Sequence, residues 1–135
     1  MKPLLLIFTV AFVLSACHKN TQTVVLPFGT LDVKYQDSAL TKDPTGAVIY
    51  FQYSQLIEDS RCGSSCPDGR ATIELICNGI ADTLTTYNSA NVPYVPDELW
   101  VKQVHFELVD VVYDSAQYQG IASHSTAKIR ISNGN

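Results

Sequence analysis

The chain has 135 residues, 46% of them hydrophobic, with nine Lys and Arg against thirteen Asp and Glu for a net charge of −4. That length amounts to about one domain, the apolar share suffices for a core, and the acidic balance disfavours binding to a phosphate backbone. Multidomain machines are excluded, and no nucleic-acid partner is expected.

At the start, Lys2 precedes an apolar run from Leu4 to Leu14 broken only by Thr9, and Ser15, Ala16 and Cys17 follow. This order reads as a secretory signal peptide, because the run is well short of the roughly 20 apolar residues a membrane-spanning helix needs. Leu14-Ser15-Ala16-Cys17 looks like the lipobox of bacterial lipoproteins, in which the cysteine thiol is alkylated with diacylglycerol and the chain is cut just before it. The expected organisation is a signal peptide at 1–16, a lipidated Cys17 opening a tether at 17–27, and one domain at 28–135. Two or more acyl chains hold a protein on a membrane stably, so the expected partner is the membrane itself. No acidic cluster follows Cys17, and the expected location is the bacterial cell envelope, on the outer membrane facing the periplasm. His18 reads as a solvated linker residue.

Beyond the tether the chain is dense in Val, Ile, Thr, Tyr and Phe, with Gly, Pro, Asn and Asp as punctuation every ten or so residues, the pattern of an all-β domain. Leu31, Val33 and Tyr35 alternate with Asp32 and Lys34 as a half-buried first strand. The Asp43-Pro44-Thr45-Gly46 turn then predicts that residues 47–58 return antiparallel to it, with Ile49, Phe51, Tyr53 and Ile57 on one face. Asn78-Gly79 joins two alternating runs, and this dipeptide is a strong hairpin signal because both turn residues need positive φ. A two-residue loop pairs Cys77 with Ile80, Leu75 with Asp82 and Ile73 with Leu84. Ala71, Ile73, Leu75, Cys77, Ile80 and Leu84 then face the core; Thr72, Glu74, Thr83 and Thr85 face out, with Ile76 the bulky exception. Residues 87–98, with two prolines and no period, read as a long connection. The Val-rich stretch from Leu99 to Tyr113 predicts one long bent strand or two strands meeting near Val109-Asp110. Ala127, Ile129 and Ile131 alternate with Lys128 and Arg130 in a last strand. Six or seven such strands fit an antiparallel β-sandwich, with a small barrel as the alternative.

Glu58-Asp59-Ser60-Arg61-Cys62, then Cys66, Gly69 and Ala71 entering a strand, resembles the uncharacterised family of small secreted or lipid-anchored bacterial domains with an Asp-Ser-Arg-Cys-Pro motif. The run from His105 to Val111, Tyr118 and Ala127-Lys128-Ile129-Arg130-Ile131 is similar to that family's final hairpin. Gly63 stands where the family has Pro, and Pro67-Asp68 follows Cys66 where the family has Trp. The resemblance implies the fold and no activity.

With Cys17 consumed by lipid, Cys62 and Cys66 are the expected disulfide, four positions apart in a loop able to bring their Cα atoms within reach. Cys77 is expected as a buried free thiol on the inward face. Cys62, Cys66, Cys77, His105 and His124 lack the paired spacing of a structural zinc site, and an exported compartment favours disulfides. No metal or cofactor is expected. No Gly-x-Ser-x-Gly elbow occurs, and His105 reads as a rim residue. Asp32, Asp37, Asp43, Asp82, Asp97, Asp110 and Asp114 read as solvated positions, and Asp59 with Arg61 as a pair that orders its loop. Tyr87, Tyr94 and Trp100 flank the proline-rich connection, and Tyr94 and Trp100 are expected to pack down as a lid. The resulting expectation is a non-catalytic envelope protein whose β-domain binds or scaffolds a protein or glycan. The alternatives are an enzyme with a site around Asp59, Arg61 and the cysteine loop, and a protease-inhibitor-like module using residues 88–98.

Overall fold

The computed structural model describes residues 25–26, 28–61, 70–86 and 98–134. The leader, Cys17, Cys62, Cys66, Tyr87, Tyr94 and Asp97 lie outside the described residues, and with them the expected lipidation site and disulfide. Nine strands are described: β1 (Val25–Leu26), β2 (Gly29–Lys34), β3 (Ser38–Lys42), β4 (Val48–Asp59), β5 (Ala71–Cys77), β6 (Ile80–Thr85), β7 (Leu99–Val101), β8 (Val104–Tyr113) and β9 (Ser125–Asn133). They form two sheets, ordered β1-β3-β4-β5-β6 and β2-β9-β8-β7. Every pairing is antiparallel except that of β1 with β3. The protein is thus a β-sandwich and not a closed barrel, and the only helical pieces among the described residues are two three-residue 3₁₀ turns.

The expected Asn78-Gly79 hairpin is present in the expected register, Cys77 opposite Ile80 and Ile73 opposite Leu84. Asn78 and Gly79 have φ of 50° and 83°, the left-handed values such a turn demands. Asn78 also ties the hairpin to its neighbour, since its Oδ1 accepts from Tyr50 N at 3.0 Å and its own N–H donates to Tyr50 O at 2.8 Å. Ala71, Ile73, Leu75, Cys77 and Leu84 are buried as expected, but Ile80 is 73% exposed. The reason is position: β6 is an edge strand, and Ile80 sits at its turn.

Three other expectations are corrected. The strand around Leu31 does not pair with residues 47–58. β2 belongs to the other sheet and pairs with β9, while β3, across the Asp43–Ala47 turn, is the partner of β4. Ile57 does not join Ile49, Phe51 and Tyr53 inside, because register shifts at Tyr53/Gln55 and Leu56/Glu58 turn it outward; each extra residue of a bulge inverts the alternation that follows. The Leu99–Tyr113 stretch holds two strands, but they meet at a Lys102-Gln103 turn, both residues at positive φ. At Val109 there is a bulge within a continuous β8.

The two sheets meet through Phe51 of β4 and Phe106 of β8, whose rings sit edge to face at 5.3 Å between centroids, a geometry the ring quadrupoles favour. Tyr53 is fully buried, and its hydroxyl lies 2.7 Å from Ser125 Oγ on β9. Ser125 gives its own proton to Ala122 O, so Tyr53 is the donor and the buried phenol is satisfied. Cys77 is a buried free thiol. Burial, aided by the Asp82 charge, pushes it up to about 12. Since only the thiolate is nucleophilic, Cys77 is expected to resist iodoacetamide in the folded protein at neutral pH and to be alkylated once denaturant unfolds it. Labelling of the native protein at Cys77, read by peptide mapping, would contradict that burial.

Candidate functional site around Asp59 and Arg61

Asp59 is the last residue of β4, and Arg61 follows two positions on. The bulges in β4 increase the local twist, and its final turn meets the far end of β8. There Arg61 grips Asp59 with a two-point fork, Nε to Oδ1 at 3.0 Å and Nη2 to Oδ2 at 2.9 Å. The Arg61 backbone N–H donates to Oδ1 at 3.1 Å, and the Tyr113 hydroxyl donates to Oδ2 at 2.5 Å. The same guanidinium reaches the opposite sheet, donating from Nη1 to Asp110 and from Nη2 to Val111 O at 2.8 Å.

The expectation of a charged pair that orders its own loop was therefore too local. The pair joins β4 of one sheet to β8 of the other. Asp110 is solvated as expected, its side chain 44% exposed, but it is also a partner of Arg61, and Tyr113, which carries no signal of its own in the sequence, closes the group. Other acids are also engaged: Asp43 Oδ1 accepts from Thr45 N, Thr45 Oγ1 and Ala47 N and so caps its turn. Asp114 meets His124 Nδ1 at 3.1 Å.

The Asp59 side chain is wholly inaccessible to solvent. Burial pushes its carboxyl up, but the hydrogen bonds from Arg61 and Tyr113 and the Arg61 charge outweigh that and hold it below the usual carboxylate range. The Tyr113 hydroxyl is raised well above an ordinary phenol, first by burial and then by donating to Asp59. Arg61 is held still more firmly protonated, chiefly by Asp59. A carboxylate receiving four hydrogen bonds has its lone pairs filled. In this state Asp59 is neither a base for a substrate proton nor a nucleophile; the group works as a tie between sheets.

His105 and His124 lie elsewhere. His105 of β8 stacks on Trp100 of β7 at 4.6 Å and 26°, with Nδ1 3.4 Å from Ser132 Oγ. Its Nε2 makes no hydrogen bond and faces the Glu98 carboxylate at 3.6 Å; Trp100 Nε1 donates to the same carboxylate at 3.3 Å. Trp100 is 51% exposed and does not pack down as a lid. It alternates with buried Leu99, so its ring lies on the outer surface of its sheet, pressed against Gly134 so closely that a Cβ there would overlap it. His124 stacks flat on Tyr118 at 3.8 Å. Among the described residues no three His, Cys, Asp or Glu side chains converge as a metal-binding group. Asp59 and Arg61 are brought together with Asp110 and Tyr113, and neither histidine takes part in that group.

No family model, curated protein or solved structure matches the chain, so the likeness of its Asp-Ser-Arg-Cys segment to the Asp-Ser-Arg-Cys-Pro family rests on those residues alone.

Proposed function

We propose that the chain is a lipid-anchored bacterial envelope protein whose β-sandwich is a non-catalytic module that binds or scaffolds another envelope component, a protein or a glycan. The observation that carries the anchor is Leu14-Ser15-Ala16-Cys17 at the end of a short apolar run: small residues let a peptidase approach the bond, and the run presents that bond at the membrane face. In this reading residues 1–16 are removed, Cys17 carries acyl chains such as palmitate, Cys62 and Cys66 form a disulfide, and the domain faces the periplasm from the outer membrane. The resemblance to small secreted or lipid-anchored domains agrees with it.

What supports a non-catalytic role is the state of the best catalytic candidates. Asp59 and Arg61 spend their hydrogen-bonding capacity on each other, on Tyr113, on Asp110 and on the β8 backbone. Replacing Cys17 by Ser is expected to move the protein from the detergent phase to the aqueous phase and to abolish incorporation of labelled palmitate. Unchanged partitioning would reject the anchor. Pull-down from solubilised membranes with mass spectrometry is expected to retain a partner; an empty pull-down together with turnover of a library substrate would reject the non-catalytic role.

A further inference from the structure

Four strands form the edges of the two sheets, β1 and β6 of one and β2 and β7 of the other. An edge strand offers N–H and C=O groups to any extended chain, and proteins blunt it by shortness, proline, a bulge or an inward-pointing charge. β1 and β7 are two and three residues long. β2 has none of these protections: it runs for six residues without proline and in unbroken register with β9. Its inward side is apolar. Val33 is buried there, while Leu31 and, just past the strand, Tyr35 are only partly buried at the rim of the core. Thr30, Asp32 and Lys34 are exposed on the outer face.

The direction of the main-chain groups follows from one hydrogen bond. Tyr35 N donates to Ser125 O at 3.1 Å, straight across β9 in the register that sets Lys34 opposite Thr126. Hydrogen-bonded and non-hydrogen-bonded pairs alternate along an antiparallel ladder, so Val33, Leu31 and Gly29 also turn their N–H and C=O toward β9. Those of Thr30 and Asp32 point off the sheet, with the N–H of Lys34. Among the described residues no main-chain bond outside the strands reaches Thr30 or Asp32, and the Lys34 carbonyl accepts from Asp37 N at 2.9 Å.

A strand added to this edge must bond through these same groups, and a second β2 related by a twofold axis does so. The charges select its register. Centred on Asp32 or on Lys34, the pairing sets like charges against each other, which destabilises it. Centred on Leu31, it leaves both charges opposite uncharged residues. Centred on Val33, it places Asp32 opposite Lys34 of the second copy, and Lys34 opposite the second copy's Asp32. The outer row then alternates in sign, because Lys128 already stands opposite both Asp110 and Asp32 and lies 3.6 Å from the Asp32 carboxylate. On the inner side the same register sets Leu31 against Tyr35 of the second copy and so covers the two rim residues that one copy leaves partly exposed. β6, the other six-residue edge, carries only Asp82 and has no such self-pairing.

We propose that two copies of the chain associate through β2, antiparallel and centred on Val33, so that their β2-β9-β8-β7 sheets join into one continuous sheet. The contact is isologous and closes at two copies. It goes beyond the anchored reading above and does not depend on it.

The full chain in neutral detergent is followed by sedimentation equilibrium, and the unsubstituted protein is expected to pass from one chain to two as its concentration rises. Asp32→Lys and Lys34→Asp each set like charges opposite one another twice in the pair and are expected to weaken self-association by about tenfold or more. Mixed in equal amounts, the two variants present opposite charges at both places and are expected to form the mixed pair with close to the original affinity. The chain carrying both changes is expected to pair with itself again. Asp32→Lys gives up the Lys128 contact, whereas Lys34→Asp, whose own-sheet neighbour is Thr126, reads the same repulsion without that loss; circular dichroism checks that each variant is folded. A protein still monomeric at about 0.1 mM, above the micromolar range of weak specific complexes, overturns the proposal. So does a dimer indifferent to both reversals, as two chains sharing a micelle or meeting through another surface would give, and so does growth beyond two chains. Loss of pairing in both single variants with no recovery in their mixture overturns it as well.

Discussion

Phe51→Ala is expected to cost about 3–5 kcal/mol of unfolding free energy, the range for emptying a large aromatic from a core. Phe51 and Phe106 are both fully buried and come from opposite sheets, so the cavity opens at the seam, where rigid β-sheets relax little to fill it. A domain of this size is stable by about 5–15 kcal/mol, and the change consumes a large part of that. The double variant Phe51→Ala with Phe106→Ala is expected to lose less than the two single losses added, by about 0.5–1.5 kcal/mol, because an edge-to-face pair can be broken only once. Val112→Ala, at an exposed position of β8, is the control and is expected to stay within about 0.5 kcal/mol of the unsubstituted protein. Urea unfolding followed by circular dichroism reads all four variants against the unsubstituted protein. A Phe51→Ala midpoint as little shifted as that of Val112→Ala would mean that the sheets are not sealed by this pair.

The contrast between the turns shows how far pattern alone reaches. Asn78-Gly79 announces its hairpin because these two residue types tolerate positive φ, and the register of β5 and β6 follows from a two-residue loop. Lys102 and Gln103 adopt positive φ as well, yet neither type favours it, so the β7–β8 hairpin was hidden inside what reads as one apolar stretch. The pairing of β2 was hidden for another reason. A strand next in sequence is the natural partner to expect, but β2 turns at Tyr35–Asp37 into the other sheet, and its true neighbour, β9, lies about a hundred residues away. Local alternation identified inward residues such as Val33, Ile129 and Ile131 while remaining silent about which sheet received them.

Bulges set the limit for the candidate site. Asp59 and Arg61 are conspicuous in the sequence, but Asp110 reads as one more surface carboxylate because a strict alternation cannot place it. The extra residue at Val109 moves Asp110 opposite Lys128 and within the grip of Arg61, and the two shifts in β4 aim Asp59 at the same point. A tie between sheets made of residues some fifty positions apart has no spacing signature that a single sequence displays. Its charged members signal only that something must neutralise a buried carboxylate.

Arg61→Leu is expected to cost about 3 kcal/mol at pH 7, the lower end of the penalty for stranding one member of a buried ion pair, since Arg61 is itself a quarter exposed and water can partly replace it. The loss has a pH signature. The Asp59 carboxyl is lower in the folded protein than in the unfolded chain, so its stabilisation is present above about pH 4, the ordinary carboxylate value, and disappears as pH falls through the folded value. The gap between the two proteins is therefore expected to narrow as pH falls below the ordinary carboxylate range, because Asp59 stripped of Arg61 takes up a proton first and no longer needs its partner. Tyr113 has the opposite sign. Its hydroxyl is raised in the fold, so its contribution is fully present below about pH 10, the unfolded phenol's value, and is lost as pH rises through the folded one. Tyr113→Phe removes a hydrogen bond to a charged acceptor and is expected to cost about 1.5–3 kcal/mol at pH 7, with a gap that narrows in acid as Asp59 is protonated and, unlike that of Arg61→Leu, also closes on the alkaline side. Urea unfolding at pH 3, 7 and 10.5 separates the two. Gaps that stay constant across that range would show that Arg61 and Tyr113 serve only as packing, and that the inward-facing carboxylate of Asp59 is not what joins the sheets at this end.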